Sequence, residues 1–167
     1  VTFHMGGPNR DAEQHHVAWK LVVDYLVPAI AYADAKDVIL AVDGIWPMWI
    51  IDSPESFLDL CKDVNSETLG VNFDPCYLTL MGLDPFKVAR IWEHRIVHAH
   101  LKDHVGTYPQ WEHRMPGEGN VDYLRVVGGL KEIGFGEGIA IETFPDMPFK
   151  TACDVGYDTL TQAMAKS

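Results

Sequence analysis

Basic residues are scarce in this chain: Lys and Arg total 13 against 24 Asp and Glu, a formal charge of −11. Binding to a nucleic-acid backbone rests on Lys and Arg displacing counterions, and no basic stretch is present, so that class is disfavoured. Cysteine is also sparse. Cys61, Cys76 and Cys153 are scattered, odd in number and without a CxxC pair, which argues against a zinc ribbon or a disulfide framework. Reduced thiols point to a cytoplasmic setting. No apolar run approaches the ~18 residues of a membrane span, and no charged-then-apolar leader opens the chain. A GxGxxG fingerprint and a Walker loop are both missing, so nucleotide-binding α/β folds lack support.

What remains is ordinary globular composition, 47% hydrophobic and 22% charged over 167 residues, which predicts a single domain spanning 1–167. Strand and helix patterns alternate along it. Val1–Met5 reads as a strand, with a turn at Gly6–Asn9. Ala12–Ala35 has helical spacing interrupted by Pro28. Val38–Val42 is a β-branched run, and Pro54–Val64 a helix capped by Asp52 or Ser53. Leu69–Phe73 is a strand; Asp84-Pro85 opens a helix through Trp92; Arg95–Leu101 is a strand and Val121–Ile133 a helix. Gly138–Ile141 is a last strand, and Val155–Lys166 a last helix. Apolar strands separated by helices predict a parallel sheet with helical cover.

Each predicted strand ends on a polar group able to do chemistry: His4, Asp43, Asp74, His100 and Glu142. The C-terminal strand ends carry the active site in a (β/α)8 barrel and the ligand crevice in an open α/β sheet. Asp43, Asp74, His100 and Glu142 form an O,O,N,O set suited to a divalent metal, with Mn²⁺ preferred over Co²⁺, Mg²⁺ or Zn²⁺. Such an ion polarises a carbonyl or hydroxyl oxygen, and flanking carboxylates move protons at the adjacent carbon.

Three stretches carry a resemblance: Leu69–Pro85 (LGVNFDPCYLTLMGLDP), Arg95–Asp103 (RIVHAHLKD) and Pro116–Phe144 (PGEGNVDYLRVVGGLKEIGFGEGIAIETF). With Phe3–Gly7 in looser agreement, the chain resembles the C-terminal part of the xylose isomerase-like TIM-barrel superfamily, the sugar phosphate isomerase/epimerase group. The resemblance implies strands four to eight of an α/β (β/α)8 barrel, about five βα units. It also implies a divalent metal held by Asp43, Asp74, His100 and Glu142. A complete barrel takes around 250 residues, so the first three units are expected from preceding sequence or from a partner chain in a homo- or hetero-oligomer. The sequence departs from the family at Asp43, where Glu is usual, and at Tyr77, where His is frequent.

The function implied is a metal-dependent isomerase or epimerase of a neutral sugar or inositol-type substrate, with Glu142 and Asp43 as base and acid. His4, Tyr77, Lys102, Asp103, His113 and Arg114 are the expected substrate contacts, the last two in a loop His113–Gly119 over the mouth. A lyase on the same site is the alternative, of the inosose dehydratase or C-glycoside deglycosidase kind, with a second subunit in some versions. Trp46, Trp49, Tyr108 and Trp111 in the mouth loops tilt the substrate toward one with an apolar portion. A non-catalytic sugar-binding barrel is a further alternative. An endonuclease IV-like nuclease ranks last, because Tyr77 and Trp111 stand where extra His ligands belong. His98 shares the strand face of His100 and reads as a supporting or core residue, and His15 and His16 as surface residues.

Overall fold

The computed structural model describes residues 1–5, 12–47, 49–142 and 148–167. The predicted turn at Gly6–Asn9 lies outside them. Two compact units emerge, residues 1–72 and 73–167.

In the first unit, β1 (Thr2–Phe3), β2 (Ala41–Asp43) and β3 (Gly70–Phe73, which runs to the unit boundary) lie parallel. Ala41 pairs with Thr2 and with Gly70, and Asp43 with Asn72. The β-branched run at 38–42 predicts a strand from Val38, yet Val38 and Ile39 stay exposed and the strand begins at Ala41. The α1 helix (Ala12–Asp34) runs into a turn at 35–37, and the chain pairs only once it is clear of that turn. The α2 helix (Pro54–Asp63) starts at a capping box in which Ser53 Oγ accepts the Ser56 amide and Ser56 Oγ accepts the Ser53 amide. Phe57 and Leu60 on its inner face are fully buried, each adding about 1.5–3 kcal/mol by leaving water.

The second unit holds two features that the hydrophobic pattern alone does not reveal. The first is α3 (Pro75–Leu80), one short helix between β3 and α4 (Pro85–Trp92). Asp74-Pro75 and Asp84-Pro85 start these helices alike: the carboxylate accepts amides of the first turn, and proline occupies the first helical position where its missing N–H costs nothing. The second is an antiparallel hairpin, β5 (Asp103–Thr107) and β6 (Gln110–Arg114), where loops are expected. It follows β4 (Ile96–Leu101) after one residue, Lys102. The β7 strand (Ile139–Ile141) lies parallel to β4, with His100 opposite Ala140.

The helices α5 (Tyr123–Glu132) and α6 (Phe149–Lys166) complete this unit; α6 begins earlier than Val155, the predicted start. Gly156 lets α6 lie against β7, since a Cβ there would press into the Ile141 side chain. Lys131 closes the far end of α6 by donating to the carbonyls of Met164 and Ser167. Phe73 meets Trp92 edge-on at 6.3 Å, and both are buried. The three cysteines are free thiols, two of them buried. Among the described residues no helix is long and apolar enough to cross a membrane.

Candidate metal centre

Local structure fixes Asp74 first. Its Oδ1 accepts the amides of Cys76 and Tyr77, so the carboxylate that caps α3 cannot rotate away, and its Oδ2 is left facing inward. That atom is buried, and the group that faces it is the Lys102 ammonium, with Nζ at 2.9 Å. His100 reaches the same place from β4 and Glu142 from the residue after β7. His100 Nδ1 lies 3.4 Å from Glu142 Oε2. Donor atoms of Asp74, His100 and Glu142 all lie within 4.8 Å of one another.

Two carboxylates and an imidazole suit Mn²⁺, Zn²⁺ or Co²⁺, and after a small closure the spacing suits metal–ligand bonds of about 2.0–2.3 Å. The buried Oδ2, met among the described residues only by the Lys102 ammonium, is what such a centre would use. These residues fit a divalent ion.

Lys102 dominates the electrostatics. A β-strand repeats every two residues, so His98, His100 and Lys102 share one side, and the lysine stem runs inward until only 2% of the side chain is exposed. Its Nζ donates to Glu142 Oε2 at 2.8 Å and sits 3.9 Å from the centre of the Tyr77 ring, a cation–π contact. Burial alone would lower the Lys102 pKa. The Asp74 charge and the Glu142 hydrogen bond outweigh it and hold the amine protonated far above neutrality. Glu142 is held down to about 2, chiefly by His100 and then by Lys102, against the cost of burial. Burial pushes the Asp74 carboxyl upward, and Lys102 pulls it back. Burial also raises the Tyr77 phenol, which stays neutral.

The remaining predicted residues separate. His113 faces Tyr77 at 6.4 Å and stacks edge-on with Trp111 at 4.3 Å, so one side of the hairpin is an aromatic wall. Burial first, and Lys102 second, lower the His113 pKa. Arg114 is on the other side of β6, pairing with Glu112 at 2.8 Å and donating to the His113 carbonyl. The structure does not bring Arg114 to the aromatic wall, because adjacent residues of a strand point oppositely. Asp103 is fully buried, and its carboxylate accepts the amides of His104, Gly117, Gly119 and Val121. Its oxygens are taken up by the Pro116–Val121 loop. Asp43 and His4 belong to the first unit, where His4 Nε2 is 3.2 Å from Asp43 Oδ2 and Asn72 donates to Asp43 Oδ1 at 2.6 Å. His4 also meets Trp49 edge-on, and His15 stacks on Trp19.

The spacing arithmetic could have found the inward lysine from the His98–His100–Lys102 repeat. Nothing in the sequence marks the four amides that Asp103 collects.

A family model described as xylose isomerase-like TIM barrel matches residues 1–159. An uncharacterized protein of Methanocaldococcus jannaschii is 37% identical over 92 residues, 54% of this chain and 31% of its own length. Among solved structures, a D-tagatose 3-epimerase-like protein superposes with TM-score 0.82 at 23% identity, over 99% of this chain and 61% of that one. The IOLI protein with a bound zinc atom gives TM-score 0.81 at 20% identity, over 99% and 63%. A xylose isomerase domain protein from Planctomyces limnophilus gives 0.76 at 21%, over 99% and 58%. The chain thus spans about three fifths of the length of these structures, and its α/β parallel sheet matches part of a TIM barrel.

Proposed function

Since this chain belongs to the xylose isomerase-like TIM barrel family, we propose that it carries the metal-binding and proton-handling side of a divalent-metal-dependent sugar isomerase or epimerase. The observation that carries this reading is the convergence of Asp74, His100 and Glu142 within 4.8 Å. Neighbours of the same fold include a D-tagatose 3-epimerase-like protein and a protein with bound zinc. In this reading Asp74, His100 and Glu142 hold the ion, with Asp43 as a fourth oxygen donor drawn from its strand-end position in the sequence. A bound ion of this kind supplies Lewis-acid polarisation of a substrate carbonyl or hydroxyl.

The chain's own residues then have distinct tasks. Glu142 stays anionic throughout the neutral range, the state required of a ligand and of a base. A carboxylate held near 2 is a weak proton acceptor, so the ligand role is the better supported of the two. Asp43 is proposed to handle the second proton. Tyr77 and His113 present a neutral phenol and imidazole for substrate hydroxyls, beside Trp111. The nearby cations are already committed, Lys102 to Asp74 and Glu142 and Arg114 to Glu112, which favours a neutral substrate over a phosphorylated one. His4 remains a proposed contact from its strand-end place beside Asp43.

The Trp111–His113–Tyr77 wall supports a second reading, a lyase of a substrate with an apolar portion, which also begins by taking a proton next to a carbonyl. Incubating the intact protein with Mn²⁺, candidate ketoses and glycosides in deuterium oxide, with NMR detection, tests both. Solvent deuterium in an epimerised or isomerised sugar is expected. An elimination product instead selects the lyase, and no exchange in any substrate overturns the enzymatic reading.

A further inference from the structure

Lys102 has no part in the ligand set, yet its ammonium stands on two of the three ligands. Its Nζ is 2.9 Å from Asp74 Oδ2 and 2.8 Å from Glu142 Oε2. Asp74 Oδ1 is fixed by the α3 amides, so the position of Oδ2 is fixed with it, and among the described residues only this ammonium meets that oxygen. A divalent ion bound by Asp74 must therefore take the same oxygen that the ammonium faces.

We infer that Lys102 is a built-in counter-cation that clamps Asp74 and Glu142 together when no metal is bound and competes with the metal for their oxygens. The inference rests on the metal-centre reading above. The buried Asp74 carboxylate and the partly exposed Glu142 carboxylate repel one another, and an amine between them keeps the donor set assembled. Once an ion arrives, a dication and an ammonium contend for the same two oxygens, and the ammonium has to withdraw along its flexible stem. The Tyr77 ring, 3.9 Å from Nζ, is already in contact with the cation and gives it a neighbouring surface on which to rest. Lys102 is thus a positioning residue: it tunes how tightly the site takes metal without donating an electron pair to it.

The test uses the intact protein and two variants, Lys102→Met, which keeps the length of the stem, and Lys102→Gln, which keeps a polar tip. Mn²⁺ affinity is measured by calorimetry and melting temperature in excess EDTA. Either variant is expected to bind Mn²⁺ at least tenfold more tightly than wild type while melting lower in EDTA, with the melting gap narrowing at saturating Mn²⁺. Binding by a variant where wild type shows none would support the inference equally. Affinity equal to or weaker than wild type in the folded variants overturns it and leaves the metal centre standing. No divalent-ion binding by wild type or by either variant overturns the metal-centre reading and this inference together.

Discussion

Asp103 Oδ2 accepts the Gly119 amide at 3.0 Å, and a Cβ on residue 119 would overlap the His104 carbonyl oxygen and the Asp103 carboxylate itself. The carboxylate and the glycine therefore specify each other: a buried acceptor gathers four amides, and one of the donors approaches closely enough to exclude any side chain. Replacing Asp103 with Ala leaves those amides without a partner inside the fold. A loss of about 3–4 kcal/mol is expected in urea unfolding, with Asp103→Asn losing roughly half of that and Gly119→Ala also destabilising. Unchanged midpoints would show that water replaces the carboxylate at little cost.

Removing a ligand and neutralising one should have separable effects. His100→Ala is expected to weaken divalent-metal binding by more than about 100-fold, beyond the range of about 10–100-fold that follows loss of a supporting partner. Glu142→Gln is nearly isosteric and should keep the fold while losing about 10²–10⁴ in turnover. Elemental analysis reads the first and steady-state rates the second. Stoichiometric metal in purified His100→Ala, or wild-type turnover in Glu142→Gln, would contradict the assigned roles. In Asp43→Asn, lost metal marks a ligand, and retained metal with lost turnover marks a proton carrier.

His104 should make the fold sensitive to mild acid. Burial holds its imidazole below the ordinary pKa, with Asp103 pulling the other way, and Nε2 is 2.8 Å from Thr79 Oγ1. A depressed folded-state pKa means that the unfolded chain takes the proton more readily. Stability is therefore complete above the ordinary value of about 6.5 and declines as pH falls through it toward the folded value. The urea midpoint of wild type is expected to drop between pH 7.5 and pH 5.5, and His104→Gln should drop less. Parallel losses in the two proteins would rule out His104 as the source.

The first unit offers a local test. Ser53→Ala removes the side chain that accepts the Ser56 amide and with it half of the capping box, at a cost of about 1 kcal/mol. Thermal unfolding monitored by circular dichroism measures it. A shift indistinguishable from zero would mean that another group caps α2.

How far the sequence carried can be judged at particular residues. The proposed ligand triad is legible because strands can be found from apolar runs: Asp74 and Glu142 each follow one, and His100 lies near the end of another. Ser53-Pro54 and Asp84-Pro85 announced their helices through cap and proline chemistry. The same signature at Asp74-Pro75 also opens a helix, but six residues carry too few turns for apolar periodicity to confirm it. The β-branched residues Val38 and Ile39 favour extended backbone and predict a strand from Val38, but beside β1 only the Val1 amino group reaches Ile39, and the regular ladder begins at Ala41. Asp103 and Lys102 stand out in the sequence by their charge and their place after the strand. What each does depends on backbone amides and carboxylates brought in from residues 14 to 40 positions away, which no local pattern encodes.

The β5–β6 hairpin makes the wall beside the proposed metal ligands interchangeable. Its outward and inward residues alternate strictly, Trp111 and His113 on one side, Glu112 and Arg114 on the other. The two strands meet at Thr107 and Gln110, across only two intervening residues. Adding or deleting a single residue at that turn would slide β6 by one position and exchange the two sides. An aromatic surface would then give way to a charged one, while Asp74, His100 and Glu142, carried on other segments, kept their places. On the proposed reading, substrate preference can be rewritten by the length of one turn, with no change to the proposed metal ligands.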